Sequence, residues 1–243
     1  MRRAIVALDC SGEAYACGLL VDQSAQTSIC GLAPRRALAE LPSHLGYLLR
    51  EAGLSYRDIA AVGVTAGPGS FTGVRLGMTL AKTIATAAEC QIAALDTLEV
   101  IACEHLQNYR HCPGRVAVAL DARRKELYCG VFSVGGETVH SLPREGPLLE
   151  TAVRTPEQFA ASLADSKDLR CLVGQGFSAY PSLVPPGFLG PVLASREAST
   201  ASMPVLCELT LRALKQERTT AVEVTEPVYF RDADVQVSQG GTL

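Results

Sequence analysis

The chain has 243 residues, 48% of them hydrophobic and 19% charged, with 21 Gly and 13 Pro. This composition excludes a disordered, collagen-like or coiled-coil chain and leaves room for one large domain or two small ones. The net charge of −3 excludes a global basic field for gripping phosphate backbones, and 5% aromatics without Trp argues against extended base-stacking platforms. Nine cysteines, an odd number spread thinly and without a CxxC pair, exclude a disulfide scaffold and a zinc ribbon. Cys17, Cys90, Cys103, Cys129 and Cys171 sit in apolar stretches, as reduced core residues of a cytoplasmic protein would.

The apolar run after Met1-Arg2-Arg3 ends at Asp9, too short for the ~7–15 apolar residues of a leader. No run reaches the ~18 residues of a membrane span, so no membrane role is expected. Residues 4–21 (AIVALDCSGEAYACGLLV) and 116–133 (VAVALDARRKELYCGVFS) form an internal repeat. Aligned without a gap they share six of 18 positions, Asp9 with Asp121 and Gly18 with Gly130 among them, where chance gives roughly one. Each reads as an apolar strand ending in Asp, a polar turn and a second apolar strand: a β-hairpin with a carboxylate at its tip. The tips differ, Ser11-Gly12 in the first and Arg123-Arg124-Lys125 in the second.

After the first hairpin, Leu38, Leu41, Leu45, Leu48 and Leu49 predict a helix over 37–52, with Pro42 marking a kink or a late start. Strands are expected at Ile59–Thr65 and Gln91–Leu95, and helices at Thr72–Ala88 and Thr97–Gln107. Asn108–Gly114 is rich in turn residues and is the expected lobe boundary, dividing the chain into 1–108 and 109–243. The second lobe reads as less regular. Leu172–Gly176 resembles a strand entering a glycine turn, 181–198 holds four prolines and reads as a loop, and Ser202–Gln216 reads as a helix with Pro204 in its first turn, open to packing back on the first lobe. Hairpins and strand–helix crossovers in duplicate predict a two-lobed α/β protein with a curtailed second lobe.

The sharpest local signal is the loop Gly67-Pro68-Gly69-Ser70-Phe71-Thr72-Gly73, followed by Arg75, between a strand and a helix. Such a turn can aim backbone N–H groups at an anion, but its spacing is neither the Walker loop nor the dinucleotide fingerprint. The same glycines would equally serve a tight turn and close packing. In the helix beyond, Gly77, Ala81, Ala85 and Ala88 form a stripe of small residues flanked by Met78 and Ile84. It reads either as packing on the protein's own sheet or as the meeting face of a partner helix.

Catalytic constellations are sparse. The histidines His44, His105, His111 and His140 have no metal-site spacing, and no G-x-S-x-G elbow is present. Asp9 and Asp121 could face each other across a cleft as a pair for metal-assisted phosphoryl chemistry, or simply accept turn N–H groups. The cation groups Arg35-Arg36 and Arg123-Arg124-Lys125 are either solvated or small sites for phosphate or RNA backbone.

GPGSFTGVRLG, with ALDCSGEA before it and ALDARRKELY after it, resembles the bacterial TsaB (YeaZ) family, and EPVYFRDADV is similar to the family's P-x-Y-[LF]-R finish. The resemblance implies two RNase H-like lobes of the actin–hexokinase–Hsp70 superfamily. It implies a non-catalytic paralogue of TsaD that partners TsaD, and TsaE in a ternary complex, to install threonylcarbamoyl on the adenosine beside the anticodon of ANN-reading tRNAs, with tRNA bound mainly through the complex. It also implies no intrinsic cofactor, with ATP or ADP and a metal ion on the partners. Docking on TsaD, and homodimerisation in competition with it, would use Leu38, Leu41, Leu45 and Leu48 of one helix and Val74, Gly77, Met78, Ala81, Lys82 and Ala85 of the next. Ala81→Arg would then break the heterodimer and leave the monomer folded. The family's His at the start of the first helix is absent from Ala37-Leu-Ala-Glu-Leu-Pro42. A stand-alone ATP-dependent enzyme, such as a small kinase, is the alternative, and a protease a weaker one.

Overall fold

A computed structural model describes residues 4–32, 36–106, 114–133, 149–164, 166, 168–195 and 197–230. The predicted boundary loop lies outside these residues except for Gly114, as do Arg35, His111, His140 and the chain beyond Phe230.

The first sheet is built from β1 (Ala4–Asp9), β2 (Ala14–Val21), β3 (Ala25–Leu32), β4 (Ile59–Thr65) and β5 (Gln91–Leu95), in the order β3-β2-β1-β4-β5. β1 pairs antiparallel with β2 and parallel with β4. Its six residues are all buried, and a strand covered on both faces reads in sequence as an unbroken apolar run. Helices α1 (Ala37–Glu51) and α2 (Phe71–Ala88) cover one face. Alternation along β1 and β2 sends Val6, Leu8, Cys17 and Leu19 into this layer. Pro42 neither delays α1 nor ends it; in the second turn its missing N–H deprives only the Leu38 carbonyl of its helical donor.

The second sheet repeats the plan with β6 (Arg115–Arg123), β7 (Glu126–Ser133), β8 (Leu149–Arg154), β9 (Leu169–Val173) and β10 (Val192–Leu193). Its order, β8-β7-β6-β9-β10, is that of the first sheet strand for strand. The crossovers have shrunk: α4 (Pro156–Ala164) stands where α1 does, and the four-residue α5 (Gly176–Ala179) where α2 has 18 residues. The region 181–198 is less irregular than its prolines imply, holding β10 and two single 3₁₀ turns. The gapless repeat needs one correction. Asp9 faces Ala16, but Asp121 faces Leu127 rather than the expected Tyr128, because a bulge between Asp121 and Arg123 shifts the register.

α3 (Thr97–Leu106) and α6 (Met203–Lys215) lie between the sheets. Leu98, Ile101 and Ala102 of α3 pack on Val116, Val118 and Leu120 of the second sheet, while Val100 and Cys103 pack on Ile5, Ala7 and Ala61 of the first. α3 therefore turns apolar residues toward both sheets, with Glu99 and Glu104 at part-exposed positions. α6 leaves the second lobe and lies on the first sheet, where Met203, Leu206 and Cys207 join Ile5, Ala7 and Leu20. Its approach uses glycines: a Cβ on Gly63 would overlap Thr210, and one on Gly18 would stand 3.0 Å from Met203 Cβ. No helix among the described residues is long and apolar enough to cross a membrane.

Candidate functional site: the glycine-rich loop and its cover

β4 delivers the chain into the glycine-rich loop, and Ser70 caps α2 by accepting the Gly73 N–H at 3.3 Å. Gly67-Pro68 is a cis peptide. The loop lies on the turn of the first hairpin: Ser70 N–H donates to the Ser11 carbonyl at 2.7 Å, and Thr97 N–H to the Gly67 carbonyl at 2.9 Å. A Cβ on Gly69 would overlap the Ser11 carbonyl oxygen, and one on Gly73 the Cys10 carbonyl oxygen. Gly67, at φ +114°, has the Val228 carbonyl oxygen 2.6 Å from where its Cβ would stand. These glycines let two turns and a third segment meet backbone to backbone. The amides of Ser70, Gly73 and Val74 already have acceptors within the protein, on Ser11 or Ser70, so the close-packing reading accounts for the pattern better than an anion cradle. The second lobe repeats the device: a Cβ on Gly174 would overlap the Ala119 carbonyl oxygen.

Asp9 is buried beneath this loop at 1% exposure. Its Oδ1 accepts from Thr65 Oγ1 at 2.6 Å, Ser11 Oγ at 2.7 Å and Ser11 N–H at 2.9 Å. Burial raises its carboxyl above the ordinary range, against the lowering pull of these hydrogen bonds. Asp121 is part-exposed in the second hairpin and accepts the Arg123 N–H at 2.8 Å. The two carboxylates that the repeat aligns are thus each engaged with their own hairpin. A raised native pKa favours the protonated form, so the stability Asp9 contributes is present at low pH and lost as pH rises from about 3.8 through its native value. Asp9→Asn, which keeps an acceptor at Oδ1, is expected to match the wild type in melting temperature near pH 4 and exceed it at pH 7.5. Thermal melts at the two values check this, and a gap that narrows with rising pH contradicts it.

Burial also pushes the Cys10 and Cys17 thiols up to about 12, which makes them inert toward electrophiles at neutral pH. Asp96 caps α3 by accepting the Glu99 N–H at 3.0 Å and hydrogen-bonds Thr151 of β8, tying the lobes together; burial raises its carboxyl. Among the described residues no three His, Cys, Asp or Glu side chains gather as a metal-binding group.

Most of the expected docking residues are buried within the chain itself. Leu41, Leu45 and Leu48 of α1, and Val74, Gly77, Met78, Ala81 and Ala85 of α2, all face into the first lobe. Met78, Ala81 and Ala85 belong to the same core as Val62, Val64 and Leu8. The small-residue stripe is what lets α2 lie close on its own sheet. Of the ten, only Leu38, 57% exposed, and Lys82, part-exposed and paired with Glu226 at 2.9 Å, present surface. Ala81→Arg would therefore put a cation into a core.

Sequence reasoning missed the role of the segment 219–230. Thr220 bridges to Ile92 at the edge of β5, Val222 packs on the core of the first lobe, and Val228 N–H donates to the Ala66 carbonyl at 2.8 Å. Tyr229 then meets Phe71 at a ring distance of 5.1 Å, and Phe230 meets Tyr128 of β7 at 6.5 Å. The EPVYF ending is thus a strap that crosses the glycine-rich loop from one lobe to the other. It has no periodicity because it is neither helix nor strand; its signal in the sequence is the likeness to the P-x-Y-[LF]-R finish, which says nothing of what the segment crosses.

Two sheets of one order, each a hairpin plus parallel strands, with the interlobe helices exchanged, define a two-lobed α/β protein of the actin–hexokinase class. The family model for TsaD, tRNA N6-adenosine threonylcarbamoyltransferase, matches residues 21–167. The tRNA threonylcarbamoyladenosine biosynthesis protein TsaB of Escherichia coli is 30% identical over 233 residues, 94% of each chain. TsaB of Bacillus subtilis is 40% identical over 85 residues, 35% of each chain. The solved structure of YeaZ from Pseudomonas aeruginosa, 26% identical, covers 93% of this chain and 99% of its own with a TM-score of 0.78. The chain belongs to the TsaB (YeaZ) family.

Proposed function

We propose that this chain is a non-catalytic accessory subunit of a tRNA-modifying transferase. It binds TsaD, with TsaE joining as a third component, and supports transfer of threonylcarbamoyl from threonylcarbamoyl-adenylate to the adenosine beside the anticodon of ANN-decoding tRNAs. The observation that carries the reading is the end-to-end likeness to E. coli TsaB, named for tRNA threonylcarbamoyladenosine biosynthesis. ATP or ADP and the metal ion are carried by the partner proteins, and the complex works in the cytoplasm. Docking uses the outward sides of α1 and α2, with Leu38 and Lys82 in place of the buried stripe; a second copy of the chain competes for the same surface.

Reconstitution tests this. The chain, TsaD and the pair, with TsaE and ATP, are given threonylcarbamoyl-adenylate and an ANN-decoding transcript, and modified adenosine is measured. Only mixtures containing the pair should turn over. Leu38→Asp, on an exposed position, should leave the fold intact and weaken the pair at least tenfold on gel filtration or calorimetry, the scale of a buried unpaired charge at an interface. A wild-type chain that neither binds TsaD nor raises its output defeats the reading.

A further inference from the structure

The second hairpin turns through Arg123, Arg124 and Lys125, all exposed and all left-handed at φ 62°, 53° and 60°. A two-residue turn of this hand is ordinarily filled by Asn-Gly or Gly-Gly, because a Cβ is strained there. The first hairpin places Ser11-Gly12 at its tip. The second instead sets three cations in unfavourable backbone, and Asp121 holds the turn by accepting the Arg123 N–H. Strain of this kind gathers where a ligand is clamped. Lys125 also lies near the exposed Glu157, whose carboxyl is lowered first by its own backbone N–H and by Thr155 and then by Lys125, so part of the Lys125 charge is offset.

A second group lies along the strap. Phe71 and Tyr229 are paired rings, 38% and 47% exposed, and the Arg75 guanidinium sits 5.1 Å over the Phe71 ring. The chain has few aromatics, yet two of them and an arginine share this surface. Phe230, next along the chain, packs on Tyr128, three residues beyond Lys125 on β7 and thus about 10 Å from it. The rings and the cationic turn are therefore joined by a short run of contacts along the rim between the lobes.

We propose that this rim is a binding surface for single-stranded RNA: Arg123, Arg124 and Lys125 take backbone phosphates, and the Phe71–Tyr229 pair with Arg75 stacks an unpaired base. Cations for phosphates beside aromatic faces for bases is the pairing of groups that single strands require. A duplex would need no stacking face, and an acidic protein surface would need no rings beside the cations. The inference rests on the proposed function, in which the RNA is the anticodon loop of the tRNA being modified.

The probe is a labelled, unmodified anticodon stem-loop transcript with an ANN-reading anticodon, titrated with the full chain and with its mixture with TsaD between 50 and 200 mM salt. Replacing all three cations (Arg123→Gln, Arg124→Gln and Lys125→Gln) should lower affinity about tenfold or more. It should also flatten the plot of log K against log salt by about 2, since each single-strand phosphate contact contributes about 0.7. Tyr229→Leu, which keeps an apolar contact with Phe71, should lower affinity about tenfold with an unchanged salt slope. Melting curves of both variants control for folding. Wild-type binding that is unmeasurable in both settings, or a triple variant with wild-type affinity and slope, overturns the proposal. So does a triple variant that loses TsaD while holding the RNA, which would make the turn a protein contact. Failure of wild-type TsaD pairing counts against the accessory-subunit reading alone, because RNA binding is still read on the chain by itself.

Discussion

Gly73→Ala is expected to lower the melting temperature by roughly 6–12 °C, whereas Gly77→Ala, one turn further along the same helix, is expected to raise it by about 2–4 °C. A Cβ at 73 would overlap the Cys10 carbonyl oxygen, and both partners are backbone at the junction of α2 with the first hairpin. Neither can rotate away as a side chain would, so the helix start or the hairpin turn must shift. The hydrogen bonds of Ser11 to Asp9 and of Ser70 to Ser11 would be disturbed with them. Overpacking of this severity costs about 3 kcal/mol, and a chain of this size loses about 2–4 °C per kcal/mol. At 77 the added Cβ meets Cys10 Cβ and Val64 Cγ2 at 3.6 Å and Cys10 Sγ at 3.8 Å, ordinary contact distances. Alanine there gains about 1 kcal/mol of helix propensity over glycine. Thermal melts of the two variants side by side decide the matter; a Gly73→Ala protein as stable as the wild type would show that the loop does not need its close approach.

Ala81→Arg is expected to yield no folded first lobe. Ala81 is fully buried on the inner side of α2, in the layer that Leu8, Val62 and Val64 complete from the sheet. Arginine there adds a long side chain to a filled core and a charge with no counter-ion. Costs of this kind exceed about 5 kcal/mol, comparable with the whole stability of a typical domain at about 5–15 kcal/mol. Lys82→Ala, at the next position but turned outward, loses only a partly exposed ion pair with Glu226, worth about 0–1 kcal/mol. Circular dichroism and soluble yield separate the two. A folded, monomeric Ala81→Arg protein would restore the stripe as a docking surface and undo the burial argument.

The neighbouring positions mark what is readable from sequence. The strands β1, β4 and β6 are sheet interiors covered on both faces, and they show as apolar runs. The edge strands β3 and β8 escape: AQTSICGL is mostly exposed and LETAVR mostly part-buried, with no fully buried residue in either, so no alternation of buried and exposed positions survives. α4 carries legible signals of its own. Pro156, Phe159 and Leu163 are its buried residues at helical spacing. Thr155 and Gln158 exchange capping hydrogen bonds, Gln158 Oε1 accepting the Thr155 N–H at 3.0 Å and Thr155 Oγ1 accepting the Gln158 N–H at 3.3 Å, just ahead of that face. At the candidate site, the glycine-rich loop was found by its residues, but the strap over it was not, since its hold on the loop consists of backbone hydrogen bonds and ring contacts between positions more than 130 apart.

The amino-acid sequence by itself determined the duplicated hairpins, the helices α1, α2, α3 and α6, and the motifs that place the chain in its family. Tertiary structure alone decided what each apolar face meets. Periodicity reports that one side of a helix leaves water and is silent on what replaces the water. α2 turns its small residues onto its own sheet, α3 divides its apolar surface between both sheets, and α6 crosses back to the first lobe over Gly18 and Gly63. The same limit governs the glycines. Their spacing announces a tight turn, but only the packed molecule distinguishes Gly73, where a carbonyl oxygen occupies the place of a Cβ, from Gly77, where a Cβ would rest at ordinary contact distance.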